Sequence, residues 1–101
     1  MRILIVCGAG ASSTFVAQRV RRAADEQGLS WSAFPGTEQS FPIDVDAADV
    51  VLLGPHLAPA LSRFERDSAE RNIPVVLLPE DIFTDRDGTR TLALVQAAAS
   101  P

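Results

Sequence analysis

The residues best suited to chemistry stand together near the start of the chain, in Cys7-Gly8-Ala9-Gly10-Ala11-Ser12-Ser13-Thr14. Cys7 is a nucleophile placed at the end of an apolar run, Ile3 to Val6. Glycines after it let the backbone turn its N–H groups inward. Ser12, Ser13 and Thr14 add hydroxyl donors, and one of them is expected to cap a following helix. The N-terminus of that helix carries roughly half a positive elementary charge. The combination is an anion cradle of phosphate size with a thiol directed into it. The same donors favour thiolate over thiol. Gly10 is expected at positive φ or in close backbone approach to the anion. A free cysteine is more often a small buried hydrophobe, but the seven residues after Cys7 weigh against that here.

Two other loops of this kind fit less well. Gly8 to Ser13 resembles a dinucleotide fingerprint with Ser in place of the third Gly, but the chain is short for that fold and no acidic residue cleanly ends a second strand. A cysteine-dependent phosphatase also places Cys before a phosphate loop, and closes the loop with an Arg six residues later. Ser13 occupies that position, so the bidentate clamp on the phosphoryl group is missing. Holding a phosphoryl group therefore fits better than hydrolysing it. His56, the single histidine, could pair with Cys7. The simpler reading of a lone loop histidine is a polar surface residue, and that is the expectation. Glu80 and Asp81 read as solvated carboxylates, and one Cys with one His cannot close a structural zinc site. No metal is expected.

These residues need a scaffold. Ile3 to Val6, Val50 to Leu53 and Val75 to Leu78 are continuous apolar runs, as in strands buried on both faces. Val16, Val20, Ala23 and Ala24 recur at helical spacing, with Gln18, Arg21, Arg22 and Asp25 on the wet face and Gly28 closing the helix. Leu29 to Phe34 alternates like an edge strand and is expected to end at Pro35-Gly36. Thr37 to Asp49 reads as a loop with a single helical turn at most, because Pro42 interrupts it. Pro59 is expected in the first turn of a helix whose inner side is Leu57, Leu61, Phe64 and Ser68. Asp81 to Gly88 reads as a polar loop, and Asp87 or Thr89 as the cap of a last helix through Leu92, Val95 and Ala99. Apolar strands alternating with helices predict an α/β fold with a parallel sheet covered on both faces. Right-handed crossovers then gather the loops after Val6, Leu53 and Leu78 at one edge. Cys7, Gly54-Pro55-His56 and Pro79-Glu80-Asp81 should share that neighbourhood.

With 101 residues, 47% hydrophobic and 22% charged, the chain is expected to form one domain over 1–101 with its own core. A net charge of −4, with scattered Arg and no Lys, argues against nucleic-acid binding, which needs a dense basic face. No apolar run approaches the roughly 20 residues of a membrane span, so no direct membrane insertion is expected. One cysteine excludes an intrachain disulfide and points to a reducing, cytoplasmic setting.

The sequence resembles the IIB component of the sugar phosphotransferase system, in the lactose/cellobiose (chitobiose) class. The resemblance is carried by Ile3 to Cys7, the loop Gly8 to Thr14, Asp49 to Pro55, and Asn72 to Val75 with the turn Asp81 to Gly88. These occur in the family's order and cover nearly the whole chain. The resemblance implies a three-layer α/β domain with a four-stranded parallel sheet of order 2-1-3-4, similar to the low-molecular-weight tyrosine phosphatase fold. It implies a phosphotransferase in which Cys7 accepts a phosphoryl group from phosphohistidine on a IIA component. The group then passes to a sugar held by a membrane IIC component, a β-linked disaccharide such as cellobiose, chitobiose or lactose. Gly8, Ala9, Gly10, Ala11, Ser12, Ser13 and Thr14 would hold the phosphate, with no cofactor. Family members commonly carry Gln after the Gly-Pro pair, where this chain has His56. The alternative is a non-catalytic anion-binding or regulatory domain using the same loop; a phosphatase ranks third.

Overall fold

The computed structural model describes residues 1–7 and 10–99. Four parallel strands form one sheet in the order β2-β1-β3-β4. They are β1 (Arg2–Val6), β2 (Ser32–Gly36), β3 (Val50–Leu53) and β4 (Val75–Leu77). The α-helices are α1 (Gly10–Glu26), α2 (Phe41–Asp44), α3 (Leu61–Ala69) and α4 (Thr89–Ala99), joined in places by short 3-10 turns. The sheet order and the α/β architecture are those expected.

The central strands explain the layers. Successive side chains of a strand point to opposite faces. Ile3, Ile5, Val50 and Leu52 therefore pack with Val16, Val20 and Val95, under α1 and α4. Leu4, Val6, Val51 and Leu53 pack with Phe41 and Phe64, under α2 and α3. Phe41 and Phe64 meet edge to face with ring centroids 4.7 Å apart. The alternation continues past β1, so Cys7 joins Ile3 and Ile5 on the α1 side. Burying both faces is why β1 and β3 read as unbroken apolar runs.

The edges depart from expectation. β2 runs Ser32–Gly36 and contains the Pro35-Gly36 pair that was expected to end it. Pro35 stands opposite Ile5. An edge strand turns half of its N–H groups away from the sheet, and a Pro at such a place removes no ladder bond. β4 was expected to be a fully buried strand, but its residues are only half-buried, because it forms the opposite edge. Leu78, just beyond it, is buried. Within Thr37 to Asp49 lies one short helix, α2, followed by a 3-10 turn at Val45–Ala47. Pro42 fits at its first turn, where a backbone N–H has no helical partner to lose. Pro59 lies inside a 3-10 turn, Pro55–Ala60, that precedes α3, not in α3 itself. Gly28 follows α1 with φ +73°, and the Leu29 N–H closes the end on the Ala24 carbonyl at 2.8 Å. Among the described residues, no helix is long and apolar enough to cross a membrane.

Candidate functional site

β1 and β3 are neighbours, and their register pairs Val6 with Leu53. Their carboxyl ends therefore release Cys7 and Gly54 side by side, with the Gly54 N–H donating to the Val6 carbonyl at 2.8 Å. Leu78 continues the edge by donating its N–H to the Leu53 carbonyl, also at 2.8 Å. The loops after Val6, Leu53 and Leu78 thus share one edge, as the topology required.

Gly54 is the point around which the site is built. A Cβ on it would lie 3.0 Å from Cys7 Sγ, 2.9 Å from His56 Cε1 and 3.3 Å from His56 Nδ1. Thiol and imidazole flank the same point and so lie within about 6 Å of each other. Cys7 is fully buried, whereas His56 is exposed. The expectation that His56 is a surface residue holds for its exposure. The expected neighbourhood of Cys7 and His56 holds as well, and the β1–β3 register sets how near the ring and the thiol come.

On the other side of Cys7, α1 begins at Gly10. The first four N–H groups of a helix have no acceptor within it. Here those include the groups of residues 10–12, part of the donor row expected for an anion. Two expectations change. Ser12, Ser13 and Thr14 lie inside α1 and do not cap it, because the helix starts two residues earlier. Gly10 has helical backbone, and the glycines with positive φ among the described residues are Gly28 and Gly88. Ser13 is buried and Thr14 exposed. Gly8 and Ala9 lie outside the described residues, as do the side chains of Ala11 and Ser12. A cavity of about 180 Å³ opens between the start of α1 and the end of β2, lined by Ser13, Thr14, Pro35, Gly36 and Thr37. A larger depression, about 710 Å³, is bounded only by Gln18, Arg21, Arg22, Asp25 and Glu26 of α1. One face of one helix cannot enclose a ligand, whereas the smaller cavity adjoins Ser13 and Thr14 of the first turns of α1, with neither Cys7 nor His56 in its lining.

The loop after β4 borders the site and is braced from α4. Asp81 pairs with Arg90 at 2.8 Å, and the hydrogen bond from Arg90 holds the Asp81 carboxyl below the usual carboxylate range. Asp87 accepts from the Thr89 N–H and hydroxyl, which lower its pKa in that order. The capping residue that sequence reasoning missed is Asp85. Its carboxylate accepts from the Arg90 and Thr91 N–H groups and from the Thr91 hydroxyl. An Asp a few residues before a helix is the signal that could have found it. Among the described residues, no group of three potential metal ligands occurs.

The whole-chain comparison now adds to the geometry. The family model described as "PTS system, Lactose/Cellobiose specific IIB subunit" matches residues 2–93. The chain belongs to this IIB family. Among solved structures, the lactose-specific IIB component domain from Streptococcus pneumoniae superposes with a TM-score of 0.90 at 17% identity, covering 99% of this chain and 98% of that one. The cellobiose-specific IIB component from Borrelia burgdorferi superposes with a TM-score of 0.76 at 30% identity, over 97% of this chain and 90% of that one. The first likeness bears on fold alone; the second also supports the family. A comparison with curated proteins finds no match. IIB domains are phosphotransferase components, which suits an edge with a thiol before a helix N-terminus.

Proposed function

We propose that residues 1–101 form one IIB domain that carries a phosphoryl group on Cys7 in the cytoplasm. Cys7 accepts the group from phosphohistidine of a IIA component and passes it to a sugar held by a membrane IIC component. The sugar class is a β-linked disaccharide such as cellobiose, chitobiose or lactose. The observation that carries this reading is the place of Cys7. It ends the central strand β1 just ahead of the first turn of α1, in a chain of the IIB family. Phosphoryl transfer asks mainly for positioning and for charge stabilisation, which helix N–H donors supply. The backbone N–H groups of the loop after Cys7 and of the first turn of α1, with the hydroxyls of Ser12, Ser13 and Thr14, would hold the phosphate oxygens. Ser13 stands where a phosphatase needs Arg, so the bound group is kept from water-driven loss.

The second reading, a non-catalytic anion-binding or regulatory domain, is favoured by one observation: Cys7 is fully buried. Incubation with phosphorylated IIA followed by mass spectrometry separates the two. The carrier reading expects one phosphoryl group on Cys7 that survives denaturation, and none in Cys7→Ser. Non-covalent phosphate lost on denaturation would favour the second reading. The free chain should show negligible turnover of an aryl phosphate; rapid, Cys7-dependent hydrolysis would make it a phosphatase.

A further inference from the structure

The geometry points to His56 as the group that takes the Cys7 proton when the thiol becomes the phosphoryl acceptor. This rests on the carrier reading of Cys7. A thiol shut away from water has no solvent molecule to receive its proton, and Cys7 is fully buried. His56 is an exposed residue beside it. Its ring meets the same point beside Gly54 as the Cys7 sulfur, at 2.9 Å and 3.0 Å respectively. Only a glycine at position 54 leaves that space open. The Leu57 N–H donates to the Gly54 carbonyl at 3.0 Å, and Leu57 is buried, so the turn carrying His56 is anchored on both sides.

Among the titratable groups around this turn, His56 is the one that the Gly54 backbone sets beside the sulfur. The Pro55–Ala60 turn packs against α3 and β4. β4 carries no titratable group, and neither does β3. The charged residues of α3 are Arg63, Glu65, Arg66 and Asp67, and Arg63 pairs with Glu38. The loop after β4 carries Glu80, Asp81, Asp85, Arg86 and Asp87, of which Asp81 is engaged by Arg90, Asp85 by the start of α4 and Asp87 by Thr89. In the step itself, the Cys7 S–H bond breaks and its proton goes to an imidazole nitrogen of neutral His56, directly or through one water. The sulfur lone pair forms the S–P bond. The P–N bond of the donor phosphohistidine breaks, and its electron pair stays on that ring, which leaves as neutral imidazole if its other nitrogen is protonated. His56, an exposed residue, then returns its proton to solvent.

The size of the effect is bounded. A free cysteine is a few per cent thiolate at pH 7 and apolar burial lowers that share, so a base gains at least about tenfold. His56→Gln should lower the rate of phosphoryl acceptance from phosphorylated IIA about tenfold at pH 7. The loss should shrink as pH rises and the thiol ionises without a base. His56 is exposed, so this variant and His56→Asn are expected to fold. The experiment measures acceptance against pH for the full chain and both variants. Beside it, the ultraviolet absorbance of the thiolate is titrated, which reports Cys7 alone because it is the single cysteine. A loss that shrinks as pH rises, with a displaced thiolate titration, supports the proposal. An unchanged rate profile, or a loss equal at every pH, overturns it. If wild-type chain takes no phosphoryl group on Cys7, the carrier reading fails instead; the pairing of His56 with Cys7 is then judged by the titration, and identical curves overturn it.

Discussion

Two demands meet at Cys7. It completes the apolar face under α1, and in the proposed function it is also the phosphoryl acceptor at the sheet edge. Gly54 makes room for it. Adding a methyl there would bring carbon to 3.0 Å from the sulfur and 2.9 Å from the His56 ring. The ring is the more movable neighbour, since it ends an exposed side chain, whereas Cys7 is fully buried. Gly54→Ala should therefore swing His56 outward and press on the thiol. The expected cost is about 1–3 kcal/mol of stability, from overpacking. Phosphoryl acceptance should fall by more than the stability loss explains. Urea unfolding and transfer from phosphorylated IIA, measured on the same preparation, check both halves. Wild-type transfer in Gly54→Ala would show that the space beside the sulfur does not matter.

At the scale of elements, the contact between α1 and α4 is set by one backbone. Gly88 has φ +76°, and a Cβ on it would lie 2.2 Å from the Arg19 carbonyl oxygen. Gly28 also has positive φ, at +73°, but a Cβ there would meet nothing within 4 Å. Gly28→Ala should thus cost only the left-handed backbone strain, about 1–2 kcal/mol. Gly88→Ala adds a clash with rigid helix backbone that forces α4 away from α1, and should cost at least about 1–3 kcal/mol more. Chemical denaturation of the pair gives the difference directly; equal losses would contradict the packing argument. The start of α4 depends on Asp85, which holds two backbone N–H groups and a hydroxyl. Asp85→Ala should cost about 1–2 kcal/mol, the usual loss for a helix cap. Hydrogen exchange should show that loss concentrated in the first turn of α4.

For the whole molecule, acid is the informative stress. Asp81 is held below the ordinary carboxylate range by Arg90, and Asp87 by the Thr89 donors. A carboxyl whose folded value is depressed stabilises the fold fully at pH above its unfolded value, near 4. That contribution is lost as pH falls through the lower folded value. Stability should therefore decline below about pH 4. The decline should be shallower in the double variant Asp81→Asn, Asp87→Asn, whose urea midpoints at neutral and acid pH should differ less than those of the wild type. Both groups are solvent-exposed, so added salt should weaken the Asp81–Arg90 part of the effect.

The sequence by itself determined the elements whose cause is local. β1 and β3 are legible because burial on both faces demands unbroken β-branched and leucine runs. α1 is legible from the spacing of Val16, Val20, Ala23 and Ala24, and its end from Gly28. The thiol before a glycine-bearing loop was visible for the same reason, since its parts are contiguous. Tertiary structure decided what depends on distant partners. Pro35 belongs to β2 only because that strand lies at an edge, a fact absent from its own neighbourhood. β4 is half-buried for a like reason. Asp85 caps α4 only once the 3-10 turn at Ile82–Thr84 has aimed it. The position of His56 beside Cys7 follows from the pairing of Val6 with Leu53. Side-chain period and propensity act over a few residues, and crossover handedness gathers the loops at one edge, whereas register joins segments far apart in the chain and alone decides which atoms of those loops meet.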